Sequence, residues 1–288
     1  MDAMRDAAGP LRSLPETLQA SQALDPAAEA LTGVATSVAP AGSPLNTLLS
    51  GTATGHPAHP PLTDVTLGAL TSAVILDWLG GRAGAKAADR LIALGLLSAA
   101  PTVLSGLNDF ATIGTGAKRI GVVHASANAT SSALFALSWV QRKRGHRLRG
   151  RITALAGLGA ATLGGLLGGD LAYRRRAGVD HSSVPSTGDW VDVAAAGDLG
   201  EGSMQQVTVA GEPVMLVRHG GHLYALADRC SHQGGPLSEG KLEDDCVVCP
   251  WHSSRFRLAD GAAMSGPTAH PQPTLEVRER EGRVELRR

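Results

Sequence analysis

Cysteine, net charge and an export signal are what this sequence lacks. Three cysteines in 288 residues exclude a disulfide-stapled scaffold, which needs several bonded pairs. The chain carries 26 bases and 26 acids, so no overall basic surface calls for a nucleic-acid partner. The first 61 residues have neither a basic start leading into an apolar run nor a twin-arginine pair, so no secretory signal is expected. A mean hydropathy of +0.02 is too high for a disordered chain and too low for one wholly embedded in lipid. The length allows one large or two ordinary domains.

The zero charge is an average over unlike blocks. Residues 1–61 hold two bases and five acids, and residues 62–172 hold eleven bases and five acids. Residues 173–188 add three arginines and one aspartate, and residues 189–288 hold ten bases and fifteen acids. The first block is rich in Ala, Pro, Ser and Thr. Residues 1–55 are therefore expected to form a mobile arm, with a short helix around Glu16–Leu24 or Ala27–Val34 as the alternative.

The second block contains long runs without charge. Leu91–Asn108 and Ile152–Gly169 hold none over eighteen residues each, and Ile120–Gln141 holds none over twenty-two. Leu62–Leu79 is a fourth run, interrupted by Asp64 and Asp77. About twenty apolar residues cross the ~30 Å hydrocarbon core. A buried helical bundle in water is the alternative, but it requires polar faces at a 3.6 period, which these runs lack. Residues 56–173 therefore read as four transmembrane helices in contact with membrane lipid. Gly164–Gly169 carries two overlapping G-x-x-x-G patterns, a close-packing face or simple composition bias.

Residues 174–188 are basic and then Ser/Pro/Gly-rich, as expected of a membrane-edge anchor and linker. From Asp189 onward short alternating runs take over: 206–209, 213–217, 223–227, 246–249, 274–278 and 284–287, separated by Gly-containing turns. Residues 189–288 thus read as an all-β domain. The fold class is multi-domain, an α-helical four-span bundle followed by an all-β domain.

The β domain holds Cys230-Ser231-His232 and, after sixteen intervening residues, Cys249-Pro250-Trp251-His252. Two thiolates and two imidazoles from two loops suit zinc or an iron–sulfur cluster. In a Rieske centre two cysteines hold one iron and two histidines the other, and C-x-H plus C-x-x-H supplies one of each per loop. The stretches Cys230–Leu237 and Cys249–Phe256, with Asp260-Gly261 and Gly266-Pro267, resemble the Rieske [2Fe–2S] family over roughly residues 189–288.

That resemblance implies Cys230, His232, Cys249 and His252 as metal ligands, a [2Fe–2S] cluster and single-electron transfer. It also implies an unidentified redox partner protein. High-potential members carry two further cysteines that bond the loops together; Gly235 and Trp251 stand there instead. Phe256 replaces a tyrosine that donates to a ligand sulfur, whereas Ser254 matches a serine that donates to a bridging sulfide. Fewer donors imply a potential in the lower part of the Rieske range, about −150 to +300 mV, as in the ferredoxin-like subgroup. Cys246, on an alternating strand, is a core thiol or a spare ligand.

With four helices in series, His56, His59, Asp64, Asn108, Asp109, His124, Asn128 and Asp170 collect at one membrane side, with Asp77 the exception. Ionisable groups at membrane depth are costly and so are functional candidates. His59 and His124 could hold a b-type haem or border a quinone pocket; interhelical hydrogen bonding is the bland alternative. His56-Pro57-Ala58-His59-Pro60, Asp109 and His124 also resemble an uncharacterised bacterial four-helix membrane family found fused to Rieske domains.

The loops after the first and third spans hold nine Lys/Arg and the other side five, which would place both termini outside. Export of a signal-less arm and of a cluster-bearing domain weighs the other way, and a cytoplasmic Rieske domain is expected. Only 36 residues follow His252, too few for the catalytic domain of an oxygenase. The remaining functions are a membrane-anchored electron carrier, a ferredoxin serving a separate oxygenase, and a redox sensor or scaffold.

Overall fold

The computed structural model describes residues 9–288 and divides into two compact units. One comprises residues up to Val38 together with Ala58–Ala177; the other comprises Ala39–Pro57 and Gly178–Arg288. The chain therefore passes between the units three times.

In the first unit, α1 (Gly9–Ala20) and α2 (Asp25–Val38) precede four long helices. These are α4 (His59–Leu79), α5 (Gly81–Phe110), α6 (Thr115–Lys143) and α7 (Arg147–Gly169), the last extended by a π turn over Asp170–Arg174. With that turn included, they span 21, 30, 29 and 28 residues, each long and apolar enough to cross a membrane. Leu97 and Leu166 point outward, as lipid-facing side chains do. Close packing rests on small residues: Gly95 lies against Leu70, and Gly157 against Phe135.

The expected mobile arm is instead helical over Gly9–Ala20 and Asp25–Val38, and its first eight residues lie outside the described ones. Leu14, Leu18, Leu24 and Leu31 pack on a core of Phe110, Ile113, Ile120 and Leu167. Arg119 donates to Asp25 through Nε and Nη2, at 2.6 and 2.8 Å. An Ala/Pro-rich composition lowers the mean hydropathy but leaves leucines at helical spacing, and packing those leucines fixes the helices.

Asp77, the exception among the polar residues, is buried and has a partner. Arg142, on α6, donates through Nη1 to Asp77 Oδ1 at 2.7 Å and through Nη2 to Asp77 Oδ2. Asp89 receives Arg142 and Arg147 at 3.3 and 3.2 Å, and Arg151 lies 3.7 Å from Asp77. Each carboxylate at this end of the bundle is thus matched by guanidinium groups.

The second unit is built from two antiparallel sheets. One runs in the order β1 (Val191–Ala195), β10 (Arg283–Arg287), β9 (Thr274–Arg280), β4 (His222–Ala227), β3 (Glu212–His219), β2 (Met204–Val209). The other runs β5 (Lys241–Glu243), β6 (Cys246–Val248), β7 (Arg255–Arg257), β8 (Ala263–Ser265). Two cores serve them: Val209, Val214, Leu216, Val284 and Leu286 in one, and Met215, Leu226, Leu237, Val247 and Phe256 in the other. In β3, Val214 and Leu216 face the first core and Met215 the second, the alternation of a strand buried on both faces. Gly261 turns the chain after β7 at φ +69°, where a Cβ would fall on the Gln272 carbonyl.

Two further segments belong to this unit. The expected linker is sewn to it: His181 N–H donates to Ser231 O at 2.9 Å, Ser183 Oγ to Glu212 at 2.5 Å, and Thr187 N–H to Arg288 O at 3.3 Å. The other is α3 (Pro44–Ser50), capped by Ser43 Oγ, which accepts from Asn46 N–H, and ended by Gly51 at φ +80°.

Candidate metal centre

The two loops holding the cysteines and histidines follow one backbone design. Cys230 N–H donates to Gly235 O at 2.9 Å, and Gly234 N–H returns to Cys230 O at 2.8 Å. In the second loop Cys249 N–H donates to Ser254 O at 2.9 Å, and Ser253 N–H returns to Cys249 O at 3.1 Å. The fourth residue after each cysteine takes positive φ, +75° at Gly234 and +63° at Ser253. Each turn aims two amides back at its own sulfur. Those of His232 and Gln233 bond to Cys230, and those of Trp251 and His252 to Cys249.

These matched loops bring like to like. Cys230 and Cys249 lie within hydrogen-bonding reach of each other and are buried in one core. The rings of His232 and His252 stand edge to face, with centroids 5.1 Å apart. The sulfurs form one pair and the imidazoles the other, as one iron with two thiolates and one with two imidazoles require.

The protonation states suit ligation. Burial, with repulsion from His252, His181 and His270, pushes His232 down to about 3, so its ring is the neutral form that binds metal. The shared hydrogen bond raises Cys230 and lowers Cys249 to about 7, helped at Cys249 by the amides of Trp251 and His252. One thiolate is thus readily available near neutral pH.

The surroundings fit a cluster rather than a filled core. Ser254 Oγ is fully buried with no hydrogen-bond partner, as expected of a donor reserved for an inorganic sulfide. A Cβ on Gly235 would meet Trp251 at 2.9 Å and Cys249 Sγ at 3.1 Å. Trp251 therefore braces the loops where high-potential relatives place a disulfide. Phe256 is buried in the same core as both cysteines. Cys246 lies on β6, in register with Glu243 and Arg257, inside a sheet rather than on either loop.

Several supporting residues carry no motif and escaped the sequence. Gln272, buried between two prolines, accepts from Ser231 N–H at 2.9 Å and donates to Ala227 O and Arg229 O at 2.6 and 2.8 Å. Asp228 accepts from Ser238 N–H at 2.7 Å and from Gln206 Nε2 at 2.5 Å. Thr268 Oγ1 lies 2.9 Å from Ser231 Oγ. Only folding brings these partners to the first loop.

His59 and His124 lie in the helical unit. His59 Nδ1 is 3.0 Å from Thr102 O and 3.1 Å from Ser105 Oγ. His124 Nδ1 is 2.8 Å from Gly164 O, and its Nε2 is 3.2 Å from Asn128 Nδ2. A carbonyl only accepts, so each Nδ1 carries the proton and each Nε2 a lone pair. Both rings sit against glycine: a Cβ on Gly106 would come 2.7 Å from His59 Cε1, and one on Gly168 would come 3.0 Å from His124 Cε1.

Residues 189–276 match the Rieske [2Fe–2S] domain family, and residues 55–181 match DUF2231, described as a predicted membrane protein. Ferredoxin CarAc of Metapseudomonas resinovorans is 36% identical over 33% of this chain and 90% of its own length. The ferredoxin component of biphenyl 2,3-dioxygenase from Rhodococcus jostii is 37% identical over 30% of this chain and 80% of its own. Among solved structures, the ferredoxin of carbazole 1,9a-dioxygenase from Nocardioides aromaticivorans aligns at 29% identity and a TM-score of 0.33. That alignment covers 34% of this chain and 96% of the ferredoxin.

Proposed function

Because this chain belongs to the Rieske [2Fe–2S] family, with a DUF2231 membrane domain before it, we propose that it is a membrane-anchored carrier of single electrons. The observation that carries this reading is the pairing of Cys230 with Cys249 and of His232 with His252 on two loops of one design. A [2Fe–2S] cluster held there supplies a one-electron couple. The protein's part is to bury the sulfurs, aim four amides at them, keep His232 neutral and leave both imidazoles half-buried near the surface. The named dioxygenase ferredoxins support a redox partner protein, and a separate oxygenase is the class they suggest.

The same pattern at His59 and His124 favours a second site in the helical unit. In each, Nδ1 is tied to a main-chain carbonyl, while Nε2 of His124 lies 3.2 Å from Asn128 Nδ2 and Nε2 of His59 lies 3.4 Å from Thr63 Oγ1, partners that a metal would have to displace. A b-type haem is the cofactor this suits best, and a quinone accepting from a histidine is the alternative. One measurement tests cluster and haem together, namely optical and electron paramagnetic resonance spectra of the full chain in native-like membranes. A Rieske signal on reduction and a haem Soret band are expected. Without the first the carrier reading fails, and without the second the haem reading fails.

The Rieske domain is placed on the cytoplasmic side. The support is the pair Gly235 and Trp251 standing where a disulfide would mark an oxidising compartment. In intact spheroplasts, added protease should leave the domain uncut, and cleavage there would reverse the orientation.

A further inference from the structure

Residues 39–54 lie outside both matched families, yet they fold with the cluster domain. Their contact is specific. Thr52 Oγ1 donates to Thr268 O at 2.6 Å, a buried bond across 216 residues of sequence. Gly266 N–H donates to Thr47 Oγ1 at 3.2 Å. The fit at Gly266 is close: a Cβ there would stand 3.0 Å from Asn46 Oδ1 and Ser50 Oγ and 3.2 Å from Thr47 Cα. Asn46, Ser50 and Thr52 are all buried, although each is polar.

The loop that they grip leads to the centre. Thr268 Oγ1 and Ser231 Oγ lie 2.9 Å apart, and each is 3.0 Å from His270 O. Ser231 stands between Cys230 and His232. From the other direction, His181 N–H donates to Ser231 O. The loop carrying one sulfur and one imidazole is therefore bonded to segments from both flanks of the helical domain. Buried hydrogen-bonded networks of this kind fix one geometry, because losing a partner strands a polar atom away from water.

We propose that residues 43–54 are a built-in clasp on the cluster domain. They hold the Gly266–Thr268 loop and, through Thr268 and Ser231, set the geometry of the loop that bears Cys230 and His232. Thr52 is thus a positioning residue. The clasp's hold on the domain is independent of what the centre binds, but its effect on the cluster rests on the Rieske reading.

The test uses the full-length protein with Thr52→Val, which keeps the side-chain volume and removes the donor, and with Thr52→Ser as the rescue. Amide exchange across residues 262–272 is expected to accelerate about tenfold or more in Thr52→Val, the size expected when a buried acceptor loses its donor. It should return to the wild-type rate in Thr52→Ser. The electron paramagnetic resonance line positions or the midpoint potential should shift in Thr52→Val and revert in Thr52→Ser. Unchanged exchange overturns the clasp. Faster exchange with an unmoved spectrum and potential overturns its reach to the centre. Exchange reads the clasp even in protein without a Rieske signal, so the two failures are told apart.

Discussion

His252→Ala is expected to abolish the Rieske signal of the reduced full-length protein, as are Cys230→Ala, Cys249→Ala and His232→Ala. In the proposed centre each iron would have two protein ligands, one from each loop. Removing one leaves an iron held from one side only. No described side chain stands ready to replace it, since no third His, Cys, Asp or Glu joins either pair in a metal-binding group. Iron content should fall from about two per domain to near none. Cluster binding also contributes to folding free energy, so the variants should unfold at lower temperature as well. Cys246→Ala is the control. Its thiol is buried in the β5–β6–β7 sheet, and the signal should survive its loss. A Rieske spectrum that persists in His252→Ala, or that vanishes in Cys246→Ala, contradicts the ligand assignment.

Arg142→Met should destabilise the helical domain by about 3 kcal/mol, the lower end of the range for breaking a buried ion pair. The side chains of Arg142 and Asp77 are 0% and 1% exposed, so the orphaned carboxylate could not turn to water. Arg151, 3.7 Å from Asp77, softens the loss but is too distant for a hydrogen bond. The double replacement Asp77→Leu/Arg142→Met removes both charges and should recover most of the stability, because Asp89 keeps Arg147. Thermal unfolding of the purified protein, followed by its helical signal, makes the comparison. A double variant no more stable than the single one would mean that the pair is not what the arginine contributes.

The sequence showed the features that depend on neighbours along the chain. Three charge-free runs and a fourth broken by two aspartates were visible as spans because lipid demands apolar length, not because of any tertiary contact. The four candidate ligands stood out because two iron atoms need two donors each at short spacing. Strands β2, β3, β4, β9 and β10 alternate over enough residues to be seen. The apolar run 246–249 also exposed the three-residue β6, whereas β5, β7 and β8, equally short, and the five-residue β1 were missed. The N-terminal helices were legible only as the alternative to a mobile arm, around 16–24 or 27–34, although Leu14 and Leu18 sit one turn apart and Ser43-Pro44 with Gly51 marks a helix start and stop. Nothing local could pair Asp77 with Arg142, Gln272 with Ser231, or Thr52 with Thr268.

The bond between Thr52 and Thr268 also orders events on the ribosome. Its donor is made 216 residues before its acceptor, and all four hydrophobic helices are synthesised in between. At about 5–20 residues per second the early segment waits roughly 10–40 s for its partner. A seven-residue helix such as Pro44–Ser50 is too short to persist alone during that interval. The cluster domain is thus completed by a segment made well before it, and its assembly cannot finish until the four intervening helices have been synthesised.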